Sequence, residues 1–370
     1  MKNNYTDALL LKICERLQLT PALYEQATER YETIARIIQS DDAFNGIDLK
    51  IYPQGSFRLK TTVKPLKEEE YDLDFVAELP SNAVMSPQEL YNHIVRILSH
   101  DGIHSKMLEL KNRCVRINYS NDFHLDIMPG QLVNSITKEI IVPDRGLKRW
   151  YHRSNPIGFA EWFEQQARTQ ILNEMNTLRK DQFEVEKVSE QEIVARLEPL
   201  RRAVQLVKRY RDVYCDKNGT EPVRSIVICT LMGQITSFNG NTLQIIHSFC
   251  SYVNNLISQS GTRPFDVKNP VVDEILTEKW HEDNNYSDFV KMMESLTSDV
   301  MALEGYTINK SINDIAKKMF GETVTTAAIT DYASVLNEAR NTGNLSVDSK
   351  GTLNTNANGV SVRKNTFYGS

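Results

Sequence analysis

The sequence predicts an α+β protein: a small mixed sheet unit, then a long helical region, with an active site in the cleft between them. Three observations carry that prediction. Between residues 48 and 150, short runs alternate apolar and polar side chains, as half-buried strands do. From Pro156 onward the apolar residues recur every three to four positions instead, the period of helices packed on one face. Within the sheet unit, a Gly-Ser turn at 55–56 precedes two aspartates one residue apart, Asp72 and Asp74, and a third at Asp126.

The first 40 residues read as helix, broken near residue 20. Thr20-Pro21 there resembles an N-cap followed by proline at the first helical position. Beyond the break, Ala27, Tyr31, Ile34 and Ile38 form one buried stripe. Strands are expected at Asp48 to Tyr52, Tyr71 to Leu79, Cys114 to Tyr119 and Phe123 to Met128, with a helix from Pro87 to His100 between them. The helical half should hold segments at Ile157 to Arg179, Glu198 to Tyr214, Ile226 to Phe238, Thr242 to Ser258, Tyr286 to Leu303, Ile308 to Phe320 and about Thr325 to Arg340. The last residues are rich in Asn, Gly, Ser and Thr and poor in large apolar groups, so a flexible tail is expected. The expected organisation is N-terminal helices across both lobes (1–45), a sheet core (46–152), a helical domain (153–341) and the tail (342–370).

Bulk properties exclude several classes. A net charge of −5 argues against a protein that coats itself with nucleic acid. No apolar run approaches the roughly 20 residues that span a bilayer, and the N-terminus lacks a signal-like apolar stretch. The five cysteines (Cys14, Cys114, Cys215, Cys229, Cys250) are scattered without a Cys-x-x-Cys. They read as buried thiols in a reducing cytosol, a cytoplasmic setting, rather than as a zinc site or disulfide frame.

Alternation along a strand sends Tyr71, Leu73, Phe75 and Ala77 to one face and Asp72 and Asp74 to the other. In the later strand Phe123, Leu125 and Ile127 share a face opposite His124, Asp126 and Met128. If the two strands are neighbours, the three aspartates converge. Carboxylates that close repel unless cations lie among them, and hard oxygens select two Mg²⁺ ions, with Mn²⁺ able to substitute. Gly55 lets backbone N–H groups approach a phosphate, and Ser56 adds a hydroxyl. If Ser56 opens a short helix, the free N–H groups there favour the anion further. His124, in contrast, needs no special role on an edge strand, and Tyr210, Tyr214, Trp280 and Tyr286 read as packing.

The runs Pro-Gln-Gly-Ser-Phe-Arg-Leu-Lys-Thr-Thr-Val-Lys-Pro-Leu (53–66), Tyr-Asp-Leu-Asp-Phe-Val (71–76) and Leu-Asp-Ile-Met-Pro (125–129) resemble the bacterial CD-NTases. These are cyclic GMP-AMP synthase-like and DncV-like nucleotidyltransferases of CBASS anti-phage systems, within the polymerase β superfamily. The resemblance covers most of the chain. It implies a polymerase β-like core with a C-terminal helical domain. It also implies a template-independent enzyme that makes a cyclic di- or trinucleotide second messenger from NTPs, ATP among them. Asp72, Asp74 and Asp126 would hold the metals, and Gln54, Gly55, Ser56, Lys208 and Ser225 would grip the phosphates. Ser225 also looks like an N-cap. The chain departs from its relatives at Lys60, where they commonly carry glycine, and at Ile226, where cyclic GMP-AMP synthase has a base-stacking tyrosine.

Around Lys208, the stretch from Glu198 to Tyr214 divides into an apolar stripe (Leu197, Leu200, Val204, Val207) and a polar one (Arg201, Gln205, Lys208, Asp212). Expected partners are the NTPs, an effector that binds the product, and a ubiquitin-transfer-like conjugating partner acting on a tail that ends Phe367-Tyr368-Gly369-Ser370. Neither a membrane nor a nucleic acid is required, and a monomer is expected. The rivals are an RNA-end or small-molecule nucleotidyltransferase, disfavoured by the acidic pI of about 5.9, and a catalytically silent nucleotide-binding module. The latter should have lost an aspartate, and none is lost.

Overall fold

Thr20 and Pro21 divide the N-terminal helical stretch as the sequence predicts. In the computed structural model, α1 (Asn4–Leu17) is followed by α2 (Pro21–Gln39), whose N-cap Thr20 accepts a hydrogen bond from the Leu23 N–H at 3.3 Å. The structure describes residues 4–66, 70–119, 123–146, 151–168, 197–235, 241–281, 285–347, 353–355 and 360–362. The two helices serve different cores. Leu9, Leu10, Ile13, Cys14 and Leu17 of α1 belong to the helical core, whereas Ala27, Tyr31, Ile34 and Ile38 of α2 lie on the sheet. There Tyr31 stacks on Phe75 with ring centroids 4.3 Å apart.

The sheet is mixed. Its strands are β1 (Lys50–Pro53), β2 (Tyr71–Leu79), β3 (Leu108–Leu110), β4 (Val115–Tyr119), β5 (Phe123–Asn134), β6 (Glu139–Pro143) and β7 (Tyr151–Ser154). They run in the order β1-β2-β5-β4-β3, with β6 pairing β5 and β7 pairing β6. The central pair, β2 and β5, is parallel, and its register sets Asp72 beside His124 and Asp74 beside Asp126. Leu73, Phe75, Ala77, Ile117, Leu125 and Ile127 form the apolar face against α2 and α4 (Pro87–His100). Helix α4 starts at a capping box made by Ser86 and Glu89.

β5 runs six residues past the predicted end at Met128. Pro129 cannot donate to a ladder, but β4 pairing has stopped at Ile127 and β6 pairing begins at Gln131. The proline falls between them, where on that side no donor is needed. β3, β6 and β7 were not legible as strands. They are three to five residues long, and β7 (Tyr-His-Arg-Ser) has no apolar alternation.

The second half is helical: α5 (Pro156–Arg168), α6 (Pro199–Asn218), α7 (Ser225–Gly233), α8 (Thr242–Ser260), α9 (Asn285–Gly305), α10 (Asn309–Phe320) and α11 (Glu322–Asn341). The predicted extension of the α5 segment to Arg179 lies outside the described residues, as does that of the α7 segment beyond Ile235. Trp280 and Tyr286 are buried in an aromatic cluster with Phe265 and Phe289. Tyr210 donates to Ser295 Oγ at 2.8 Å and Asp299 Oδ2 at 3.0 Å, so these rings are core, as expected. All five cysteines are free thiols; Cys114 alone is partly exposed.

Described residues of the segment expected to be a flexible tail form three short strands. β8 (Ser346–Val347), β9 (Leu353–Asn354) and β10 (Val360–Ser361) form a small antiparallel sheet in the order β10-β8-β9. Leu345 and Ser346 are buried, and the Leu345 N–H donates to the Ala339 carbonyl at 3.0 Å. The closing Phe-Tyr-Gly lies outside the described residues. Among the described residues no helix is long and apolar enough to cross a membrane.

Candidate active site

Strand alternation and register together build the acidic face. Asp72 and Asp74 point to the same side of β2, and the parallel pairing places Asp126 of β5 level with Asp74. On the other side of β5, antiparallel pairing sets Arg116 of β4 directly opposite Asp126. Arg116 grips Asp126 two-pronged, Nε to Oδ1 at 2.7 Å and Nη2 to Oδ2 at 2.8 Å, and Nη2 also reaches Asp72 Oδ1 at 3.2 Å. Such a fork fixes geometry as well as charge. Asp74 receives no arginine contact. Burial first, and then the charges of Asp126 and Asp72, push its carboxyl up to about 7. Asp72 is raised in the same direction by the surrounding protein, with Arg116 pulling the other way, although its side chain is 61 % exposed and screened by water. His124 lies on β5, between β2 and β4, so the edge-strand position expected for it is corrected to a central one; its Nδ1 stands 2.8 Å from Glu70 Oε2.

The Gly-Ser turn stands against this face. β1 ends at Pro53, the Gln54 N–H donates to the Asp74 carbonyl at 2.7 Å, and the one-turn helix α3 (Gly55–Arg58) begins. Gly55 has φ +61°, and a Cβ placed there would lie 2.3 Å from Asp74 Oδ2. Two independent constraints therefore demand glycine: the backbone conformation and the carboxylate behind it. Ser56 Oγ lies 3.3 Å from Thr62 Oγ1. The chain then turns back through Lys60, which carries φ +55°. A left-handed residue prefers to be glycine, which gives a physical reason for glycine in the relatives at this position.

The polar stripe of α6 is buried. Gln205 is 1 % exposed, and Arg201, Lys208, Arg209 and Arg211 are buried with it. These side chains grip the backbone of the segment that follows α3. Arg201 donates to the Leu59 carbonyl, Lys208 to Thr61 at 2.8 Å, Gln205 to Thr62 at 3.1 Å and Arg209 to Lys64 at 3.2 Å. Burial pulls the Lys208 ammonium down from its ordinary pKa. Ser225 is the first residue of α7 and not its cap: Arg224 holds the cap position with no side-chain bond, and Ser225 Oγ accepts from Arg211 Nη1 at 3.0 Å.

A cleft of about 990 Å³ between the sheet and the helices is lined by Gln54, Gly55, Ser56, Asp72, Asp74, Lys208 and Ser225. Asp126 does not line it directly but lies beside Asp74, behind the fork of Arg116. The structure thus gathers all eight predicted site residues around one cleft. Sequence reasoning missed Arg116 and Arg211. Arg116 occupies the polar phase of a strand that was read for its apolar phase, and Arg211 lies one position before the stripe that ends at Asp212.

A family model for the Second Messenger Oligonucleotide or Dinucleotide Synthetase domain matches residues 5–167. Along nearly the whole chain, the sequence is 32 % identical to a c-di-GMP synthase of Roseivirga ehrenbergii, over 371 residues that cover 97 % of this chain and 96 % of the relative. The chain belongs to the bacterial CD-NTases. A cyclic dinucleotide synthase of Bradyrhizobium diazoefficiens, CdnG, is 28 % identical over 240 residues, 60 % of this chain and 57 % of that protein. Among solved structures, CdnG in complex with GTP superposes with a TM-score of 0.71 at 21 % identity, covering 89 % of this chain and 99 % of that one. The Vibrio cholerae cyclic AMP-GMP synthase DncV gives 0.57 at 16 % identity, with 87 % and 86 % covered. The CD-NTase fold, a polymerase β-like sheet core with a helical C-terminal region, is therefore the fold of this chain.

The three carboxylates of this CD-NTase suit a hard divalent cation. They offer only oxygens, from adjacent strands, and the raised carboxyl of Asp74 marks a local lack of positive charge. Among the described residues no three His, Cys, Asp or Glu groups form a ready-made metal cage. Both oxygens of Asp126 are taken by Arg116.

Proposed function

We propose that this CD-NTase takes GTP as its main substrate and joins two GMP units into a ring, releasing pyrophosphate at each of the two bond-forming steps. The observation that carries the chemistry is a cleft lined by Asp72, Asp74, Lys208 and Ser225, with Asp126 in register beside Asp74. Choice of guanine rests on the c-di-GMP synthase of R. ehrenbergii, which aligns along almost the entire chain. It replaces ATP, the base expected from family resemblance alone, as the first substrate to test.

Two divalent cations, Mg²⁺ or Mn²⁺, would neutralise the triphosphate and lower the pKa of the attacking ribose hydroxyl. Asp72 and Asp74 would hold both, and Asp126 would help hold the one nearer the acceptor. Gly55, bare of a side chain, leaves room for phosphate oxygens next to Asp74, with Gln54 and Ser56 beside it. Lys208 places a positive charge in the cleft wall, and Ser225 a hydroxyl. The chain's part is to position and to neutralise, with attack in line on the α-phosphorus and no covalent enzyme intermediate.

The same reading places the enzyme in the bacterial cytoplasm as part of anti-phage defence, with its cyclic product read by an effector. An Escherichia coli relative of the same fold, CdnC, has been solved in complex with a HORMA protein, so partner proteins occur among structural neighbours. A conjugating partner at the C-terminus is tested by deleting the last four residues; unchanged conjugates would rule it out.

The test of the reaction incubates pure protein with each α-³²P-labelled NTP in a mixture of all four, with Mg²⁺ or Mn²⁺. A phosphatase-resistant product labelled from GTP, absent in Asp72→Ala, is expected. Products that are only linear and phosphatase-sensitive would contradict cyclisation, and resistant product labelled from other NTPs alone would contradict the choice of guanine.

A further inference from the structure

Among the described residues, Arg116 is the cation hydrogen-bonded to the carboxylates of the acidic strand face, and its position is built in by the sheet. Val115, Ile117 and Tyr119 are buried on the apolar side of β4, so alternation obliges Arg116 to project beside the carboxylates. The β4–β5 register sets it opposite Asp126 rather than one step away. Its guanidinium then takes both oxygens of Asp126 and one of Asp72. Burial raises no conflict for so charged a group, because two carboxylates compensate it.

We infer that Arg116 is the counter-cation of these carboxylates: it would hold Asp126 closed to a divalent metal offered alone and give that carboxylate up only when metal and nucleotide are bound together. The inference rests on the nucleotidyltransferase reading above, since it concerns access to the same carboxylates. An oxygen already accepting a charge-assisted hydrogen bond from a fork at 2.7–2.8 Å is a poorer metal ligand, and the guanidinium charge repels a second cation a few ångströms away. A triphosphate brings compensating negative charge of its own, so nucleotide and metal together can displace what metal alone does not. Arg116 is in this account a positioning residue, which sets the order and cooperativity of loading.

The experiment measures Mn²⁺ binding by EPR of the free ion, on intact protein with and without a non-hydrolysable GTP analogue. The wild type should bind Mn²⁺ weakly alone and at least tenfold more tightly with the analogue, on the order of one charge removed from a partly screened site. Arg116→Gln should bind Mn²⁺ alone about tenfold more tightly than wild type, with most of the cooperativity gone. Arg116→Lys, which keeps the charge but grips one oxygen, should fall between; it carries the comparison if Arg116→Gln does not fold. Equal metal affinity in wild type and variants would overturn the inference while leaving the metal site standing. Loss of analogue affinity in chelator, with metal affinity unchanged, would reassign Arg116 to the substrate and overturn it too. If none of the proteins binds Mn²⁺ even with the analogue, the metal reading itself fails.

Discussion

Two polar stripes face each other across this molecule, and they obey opposite rules. On the sheet, Asp72, Asp74 and Asp126 share the strand face that the apolar core leaves over, and Asp72 and Asp74 line the cleft. On α6, Arg201, Gln205, Lys208 and Arg209 look by pattern like the solvated side of an amphipathic helix, yet they are buried. The difference lies in what each stripe meets. Burial first, and then the neighbouring carboxylates, disfavour ionisation of Asp74. The α6 side chains meet backbone carbonyls of residues 59–64 that β1, α3 and β2 leave unpaired, and they satisfy them. One stripe presents carboxylates to the cleft; the other fastens the segment after the Gly-Ser turn to the helical lobe, with Lys208 also lining the cleft.

If that division is right, mutations should separate the two. Arg201 is buried, pairs with Glu198 at 2.7 Å and donates to the Leu59 carbonyl. Arg201→Met should lower stability by about 2 kcal/mol, because it strands a half-buried carboxylate and a carbonyl. Urea denaturation measures this, and turnover per folded molecule at low temperature should fall by less than tenfold. Gly55→Ala tests the junction between the stripes. With Asp74 Oδ2 2.3 Å from the new Cβ and φ at +61°, turnover should drop by about a hundredfold and stability by about 2 kcal/mol.

The pH dependence of the metal-free protein sharpens the carboxylate side. Asp74 keeps its proton in the fold up to about 7, against an ordinary value of 3.8. The native state therefore binds more protons than the unfolded chain between those values. Its stability contribution is full below about 4 and is lost as pH rises through about 7. In chelator this group should cost about 2 kcal/mol between pH 5 and 8, after allowance for solvent near the cleft. Asp74→Asn should flatten that slope in melting curves. The smallest effect is at Lys60, where Lys60→Gly relieves φ +55° and should raise stability by about 1 kcal/mol.

Much of this was legible in the sequence because strand alternation is rigid. A period of two allows Asp72 and Asp74 only one face once Leu73 and Phe75 are committed to the core. The bounds of β2 and α4 matched the structure for the same reason: clean alternation in one, a capping box and Pro87 in the other. Illegible features depended on partners distant in sequence. Nothing local says that Arg116 faces Asp126, because that is a matter of register, although the polar phase Cys114, Arg116, Asn118 was there to follow. Nothing local says that α6 is covered, because the covering segment lies about 140 residues earlier. Composition gave no sign of the short strands β8, β9 and β10, because Asn, Thr and Ser carry no apolar alternation.

The most direct test of the division between chemistry and fastening is one pair of measurements on Asp74→Asn. Turnover of labelled GTP with Mg²⁺ should fall on the order of a thousandfold or more. The melting temperature in chelator at pH 8 should meanwhile hold or rise, since a charge that the fold tolerates poorly has been removed. Turnover within tenfold of wild type, or a clear loss of thermal stability at that pH, would contradict the account.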